Sequence, residues 1–431
     1  HDGRGDRRGG EREREAAGER LRRPKGRRGA PVPYPPIATP ELERLYRRLG
    51  RLLNMRAETI HKRVIQKLAQ LPYSAVPIRN DVPNSIRGYI RERQEQFPGV
   101  SVERVYLRQY PRDTLAAQLL GYVGEISPDE LKQRRNRGVK QGTIIGKAGL
   151  EYQYDRYLRG RDGAKVLKVD DANGKFVGEA LQRREPVPGR QLRLSLDLQL
   201  QREGERALRE IGGGLPGAFV AMNPRNGQIY AMGSYPSFDP EELFVKPISQ
   251  ERFNALTSES VGAPLVNRAV AGTYASGSVF KPISALAGLD KGVITPEQVQ
   301  NDPGCIDIGN PPVEKCNAKK TPYGAVDLRR SLIVSSDVYY YRVGLWLYSA
   351  GGQALQKWAR KLGLGRSTGI DLPEERRGLI PGPEWRAEMN AKERRCRKTN
   401  KGRPCYVLDI RDYNPGDNAN LAVGQGEVQI S

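Results

Sequence analysis

The sequence predicts an α+β fold, an antiparallel sheet with helices packed on it. Three stretches carry that prediction. RQLRLSLDLQLQREGERAL (residues 190–208) changes from period two to helical spacing, a strand running into a helix. GAFVAMNPRNGQIYAMGSYPSFDP follows, with two apolar strands flanking Asn226-Gly227, the strongest short-range hairpin signal in the chain. Beyond it the pattern is mostly helical. At 431 residues the chain suits two or three domains.

Taken in order, residues 1–36 are Arg, Gly and Glu followed by Pro, with almost nothing able to pack, and read as a disordered basic tail. TPELERLYRRLGRLLNM then predicts a helix. Thr39 caps it, Pro40 takes the first helical position, and Leu42, Leu45, Tyr46, Leu49, Leu52 and Leu53 line one face. DVPNSIRGYIRERQEQF predicts a second capped helix, and VSVERVYLRQYP alternates as a strand does. AKVLKVDDANGKFVGE reads as short strands with a turn at Asn173-Gly174, and PVPG at 186–189 as a linker.

Composition narrows the function classes. A 37% apolar content builds real cores, and no run of about twenty apolar residues offers a membrane span. The net charge of +22 fits either an anionic neighbour or a solvated basic surface. No zinc-knuckle spacing, RNP-like pattern or helix-turn-helix signal points to nucleic acid. Cys305 and Cys316, and Cys396 and Cys405, form two sequence-local pairs; four cysteines allow three connectivities, and free thiols remain an alternative. With only His1 and His61 beside them, no metal site is expected.

GTYASGSVFKPI places Ser278 three residues ahead of Lys281 at the start of a helix. A serine hydroxyl needs a base within reach, and neither histidine is placed to serve. Lysine can serve when desolvation lowers its pKa. Three residues apart on a helix, the Lys281 amine can return to the Ser278 hydroxyl. Gly277 permits a close approach to the helix start, where backbone N–H groups favour an oxyanion. Val279, Phe280, Ile283, Leu286 and Leu289 are expected to bury the helix. A serine three before a lysine also arises about once or twice by chance in a chain this long. DLRRSLIVSSDVYYYRVGLWL adds weight: it is an apolar helical stretch interrupted at Ser335, Ser336 and Asp337, where polar groups need partners. S-x-D also occurs at Ser127–Asp129 and Ser237–Asp239.

Together these residues resemble the penicillin-binding transpeptidases, in which S-x-x-K accompanies S-D-N and K-T-G. APLVNRAVAGTYASGSVFKP is similar to the nucleophile segment and GAVDLRRSLIVSSDVYYYRVG to the second motif. SYPSFDP and GDNANLAVGQGEV resemble flanking markers. IIGKAGLEYQYDRYLRGRDG and DLQLQ resemble segments of the class B, elongation-type enzymes. The resemblance covers residues 40–431. It implies a pedestal (dimerisation-like) domain over 37–189 and a transpeptidase domain over 190–431, an antiparallel sheet with helices on both sides. It also implies a single-pass membrane protein facing outward. Its substrate would be the D-Ala-D-Ala end of peptidoglycan stem peptides, β-lactams would acylate it, and no cofactor would be needed. A glycan polymerase of the SEDS family and rod-shape scaffold proteins would be its partners. Ser278 would be the nucleophile, Lys281 its base and Ser335 the proton relay to the leaving group, with Asp337 where many relatives carry asparagine.

Two departures accompany the likeness. The only Lys-Thr pairs are Lys320-Thr321, followed by Pro322, and Lys398-Thr399, followed by Asn400. In the family K-T-G lies beyond the GQG marker, so the expectation is a domain incomplete at its C-terminus. The alternative function is then a catalytically incompetent scaffold or β-lactam-binding protein of the same fold. At the other end GRGDRRGG has the letters of the family's R-G-x-I-x-D-R-x-G segment without its apolar strand. Residues 1–36 therefore read either as non-native sequence or as a natural basic tail, with a membrane anchor expected upstream. AKERRCRKTNKGRPC is expected as a long basic loop, clipped if Cys396 and Cys405 pair.

Overall fold

The computed structural model describes residues 37, 39–68, 76–79, 82–102, 108–161, 163–166, 182–244, 248, 250–400 and 403–431. Residues 1–36, the centre of the strand expected over 100–111 and the turn expected at Asn173-Gly174 lie outside the described residues, and the described ends of that segment, 100–102 and 108–111, are not strand. Two compact units divide between Arg108 and Gln109.

In the first unit, helix α1 (Pro40–Leu53) forms where its cap was expected: Leu42 N donates to Thr39 Oγ1 at 3.3 Å, and Leu45, Tyr46, Leu49 and Leu53 are buried. α2 (Ala57–Leu68) packs on it, contributing buried Ile60 and His61. α3 (Asn84–Glu92) follows Pro83, which supplies no side-chain cap, so the second helix exists without the expected capping bond. Ile90 and Phe97 join Leu45, Tyr46, Leu49 and Ile60 in one small core.

The second unit begins with two antiparallel pairs, β1 (Val123–Glu125) with β2 (Ile144–Gly146), and β3 (Ala164–Val166) with β4 (Gln182–Arg184). Ala116, Leu119 and Leu150 share an apolar cluster with Met232, Val270 and Leu372. Residues 191–197 are not a strand. Leu192, Leu194 and Leu196 pack against that cluster, which explains their alternation without a sheet ladder. Asp197 then caps α4 (Leu198–Glu210), accepting from Leu200 N at 2.8 Å.

The hairpin forms as predicted. β5 (Gly217–Met222) and β6 (Ile229–Tyr235) pair antiparallel around Asn226-Gly227. Helices cover both its faces. Gly233 abuts the Phe219 ring and Glu205 of α4, while Ser234, pointing the other way, accepts from Arg268 N of α5 (Arg268–Ala271) at 2.9 Å. All the sheets among the described residues are two-stranded.

The main core lies among α6 (Lys281–Asp290) and the helices after it. Between them, β7 (Gln300–Asp302) pairs with β10 (Gly324–Val326), and the β8 (Cys305–Ile308) and β9 (Val313–Cys316) hairpin is inserted in the connection. α7 (Leu328–Ile333) breaks at residues 334–336 before α8 (Asp337–Ser349), as the polar interruption predicted. α9 (Ala354–Lys361), α10 (Pro383–Thr399) and α11 (Pro415–Ala422) complete the unit. α8 crosses α11 so closely that a Cβ on Gly344 would stand 2.8 Å from Ala419 Cα.

Two segments differ from the expectation. Val279, in the 3₁₀ turn Gly277–Phe280 before α6, and Leu286 and Leu289 on α6 are exposed. The buried side is Phe280 of that turn with Lys281, Ile283, Ser284, Ala285, Ala287 and Gly288, and its small residues allow close contact, a Cβ on Gly288 falling 2.8 Å from Ile294. The basic insertion is helical through Thr399, in α10, and the described residues from 403 on form a loop tied back to it by Cys396–Cys405. Buried Glu393 anchors that loop, accepting from Arg397 Nε at 2.6 Å and Tyr406 N at 2.6 Å.

Candidate active site

Gly277–Phe280 forms a single 3₁₀ turn that runs directly into α6. Gly277 sits at φ +57°, a conformation that favours glycine. Its N–H donates to Gly424 O at 2.8 Å, so it is engaged and not an oxyanion donor. Gly424 must itself be glycine, since a Cβ there would lie 2.2 Å from Gly277 O. Tyr274 and Ile430 exchange two backbone bonds of 2.8 Å, which brings the GQGEVQI segment alongside the segment that carries Ser278.

This turn leaves Ser278 exposed and Lys281 buried, with 1% of its surface accessible. Across from it the break between α7 and α8 presents Ser335 at φ +55°, an uncommon conformation for a side chain other than glycine. Ser335 Oγ donates to Ser278 Oγ at 3.0 Å. Lys281 Nζ donates to Ser335 Oγ at 3.0 Å and to Ser335 O at 2.7 Å, and pairs with Asp337 Oδ1 at 2.7 Å. The three N–H bonds of an ammonium are thereby matched by three acceptors. Among the described residues Lys281 makes no direct hydrogen bond to Ser278. The expected direct return is replaced by a bridge through Ser335, because the ammonium extends past the serine to reach the carboxylate.

Burial pushes the Lys281 pKa below the usual lysine range, the largest influence on it. The hydrogen bond and charge of Asp337, then the charge of Asp302, pull the other way, and the net direction is down. Burial also raises Tyr340, beside the lysine, to about 12. Its hydroxyl stays protonated, so it is no competing base.

The other S-x-D occurrences have structural roles. Ser127 opens a capping box with Glu130, and Ser237 Oγ donates to Thr114 O at 2.9 Å.

Sequence reasoning missed the support behind the second motif. Asp302 and Asn317 are buried. Asn317 Nδ2 donates to both Asp302 oxygens at 2.9 Å, while its Oδ1 accepts from Asp337 N at 2.8 Å and Val338 N at 3.0 Å. Ser336 Oγ donates to Asp302 Oδ2 at 2.5 Å and accepts from Tyr339 N at 3.0 Å. Three N-terminal amides of α8 thus find side-chain acceptors. The one sequence signal was position, since Asp302 and Asn317 flank the Cys305–Cys316 pair, and that pair is a disulfide joining opposed residues of the β8–β9 hairpin.

Comparison with known proteins places this geometry in a family. Residues 35–194 match the penicillin-binding protein dimerisation domain, and residues 217–431 match the penicillin-binding protein transpeptidase domain. Peptidoglycan D,D-transpeptidase MrdA of Acinetobacter baumannii is 35% identical over 336 residues, which is 78% of this chain and 45% of the relative. MrdA of Escherichia coli K12 is 32% identical over 358 residues, 82% of this chain and 52% of the relative. The chain therefore spans about half the length of the curated relatives it matches. Among solved structures, the complex of PBP2 with MreC from Helicobacter pylori aligns with a TM-score of 0.72 at 27% identity, covering 92% of this chain and 68% of that one. PBP2 of Pseudomonas aeruginosa in complex with WCK 5153 aligns with a TM-score of 0.56 at 32% identity, covering 76% and 62%. With both domain models matched in order and MrdA and PBP2 proteins among its relatives, the chain belongs to the class B penicillin-binding proteins.

Proposed function

We propose that this chain carries the catalytic apparatus of a peptidoglycan D,D-transpeptidase of cell-wall elongation. The observation that carries the reading is the bridge Ser278 Oγ–Ser335 Oγ–Lys281 Nζ, with both links at 3.0 Å, closed by Asp337 at 2.7 Å. With Lys281 neutral, the hydroxyls turn so that Ser278 donates to Ser335 and Ser335 donates to the amine. Ser278 Oγ then attacks the carbonyl carbon of the penultimate D-alanine of a stem peptide, and its proton passes through Ser335 to Lys281. The same route returns the proton to the nitrogen of the departing D-alanine, leaving an ester on Ser278. An amine from a neighbouring stem peptide attacks that ester, forms the crosslink and frees the serine. A β-lactam amide enters by the first step and stops at the ester.

The relatives support the wider setting. The MrdA names give the activity, and the Helicobacter pylori complex pairs a PBP2 with MreC. For this chain we propose a pedestal over 37–189 that meets a rod-shape scaffold protein of that kind and a SEDS-family polymerase. The transpeptidase domain over 190–431 would work outside the membrane. Two disulfides favour such an oxidising compartment. Among the described residues no helix is long and apolar enough to cross a membrane.

The test is incubation with a fluorescent penicillin and intact-mass measurement beside Ser278→Ala. One adduct per chain, lost in the variant, is expected. No adduct on folded protein would refute the enzymatic reading and leave a non-catalytic scaffold.

A further inference from the structure

We infer that Asp302 and Asn317 are positioning residues for Ser335, forming a dock that holds the proton-relay turn in its left-handed conformation. The inference rests on Ser335 being the relay of the proposed acylation. Ser335 is suspended between two anchors. On one side Ser336 N donates to Ser331 O at 2.9 Å, tying the turn to α7. On the other side Asn317 holds the next two amides and Asp302 holds the Ser336 hydroxyl. Among the described residues the Ser335 side chain makes the two hydroxyl links of the bridge and no others, and its carbonyl holds Lys281. Ser335 stays at φ +55° through its own bonds to Lys281 and Ser278 together with the anchoring of the residues that follow it.

The dock is built for fixed geometry. Both Asp302 oxygens are engaged, Oδ1 by Gly304 N at 2.8 Å as well as by Asn317, and Asn317 Nδ2 also reaches Thr321 O at 2.8 Å. Asn317 N donates to Gly304 O at 2.9 Å, so backbone and side chains of the two segments are tied together. The Cys305–Cys316 bond closes the hairpin neck three residues after Asp302 and one before Asn317. Asp302 also raises the Lys281 pKa by its charge, so the dock bears on the lysine end of the relay as well as on its middle.

The experiment compares Asn317→Ala, Asn317→Asp, Asp302→Asn and the double swap Asp302→Asn/Asn317→Asp. Asn317→Asp sets two carboxylates against each other, whereas the swap restores one donor facing one acceptor across the pair. Hydrogen exchange is read at the amides of residues 336–338, with α10 as the folding control. Acylation by a fluorescent penicillin is resolved into binding and bond formation. Asn317→Ala should exchange faster at 336–338 with α10 unchanged. It should bind penicillin normally and form the ester about 10- to 100-fold more slowly. The swap should recover most of the rate that either single loses. Unchanged exchange in Asn317→Ala, or a swap no better than its singles in exchange, overturns the inference whether or not the wild type acylates. A wild type that forms no adduct defeats the transpeptidase reading alone, and exchange then decides whether the dock holds the turn.

Discussion

Replacing Ser335 separates the relay from the fold. Ser335→Ala deletes both hydroxyl links, 3.0 Å to Ser278 and 3.0 Å to Lys281, yet leaves the Ser335 carbonyl that holds the ammonium at 2.7 Å. The lysine should therefore stay in place while losing its route to the nucleophile. General acid–base assistance is worth about 10²- to 10⁴-fold; the lower end, about 2.7 kcal/mol of barrier, is expected because Lys281 remains. Ser335→Gly removes the same hydroxyl but suits φ +55°. It should be more stable than Ser335→Ala by about 1 kcal/mol. Stopped-flow acylation with a fluorescent penicillin and thermal denaturation measure the two effects. Both variants should acylate equally slowly, and the glycine variant should melt higher. Acylation of Ser335→Ala at the wild-type rate would refute the bridge and show that Lys281 reaches Ser278 directly.

Further outcomes follow from the same geometry. Asp337→Asn removes a charge that raises the Lys281 pKa, so the acid limb of the acylation pH profile should move to lower pH; movement to higher pH would contradict the pairing. Gly344→Ala places a Cβ 2.8 Å from Ala419 Cα and 2.9 Å from Asn418 O, well inside the ~3.5 Å carbon contact distance. Overpacking of about 1–3 kcal/mol should exceed the roughly 1 kcal/mol helix gain, and Ala422→Gly should not rescue it, since the backbone contacts remain; an unchanged melting temperature would count against so tight a crossing. Glu393, held by Arg397 and three backbone amides, has its pKa depressed to about 2. Its contribution to the clipped loop is thus fully present above the ordinary carboxylate range and lost only as pH falls through about 2. Glu393→Gln should accelerate hydrogen exchange at residues 405–407 at neutral pH, and unchanged exchange would show that the carboxylate is not their anchor.

The site was legible where its signals are local. Ser278 and Lys281 share one turn, and Ser335, Ser336 and Asp337 interrupt an apolar helix, so local spacing marked them as candidates, while the roles proposed for them came from the family resemblance. Asn226-Gly227 marked the hairpin for the same reason. Asp302 and Asn317 were not legible, because their partners lie far along the chain and an isolated Asp or Asn in a loop looks solvated until the fold buries it. Leu192, Leu194 and Leu196 alternated as a strand does, but alternation reports one-sided burial and not a ladder partner. The outer face of α6 misled in the opposite way. Val279, Leu286 and Leu289 are apolar at helical spacing, while the face that packs is small enough for Gly288 to lie against Ile294 and Val343.

The contact of the nucleophile segment with residues 422–430 has a consequence for biogenesis. Ser284 Oγ donates to Ala422 O across 138 residues of chain, in parallel with the Gly277–Gly424 bond. At about 5–20 residues per second of synthesis, the serine emerges roughly 7–28 s before the wall it leans on. A nascent chain in that interval carries Ser278, the proposed nucleophile, without the surface that seats its segment. Ribosome-stalled chains that end before residue 422 should escape penicillin labelling, and chains stalled with residues 422–430 outside the ribosome should be labelled. The antibiotic would then report the age of the molecule as well as its identity.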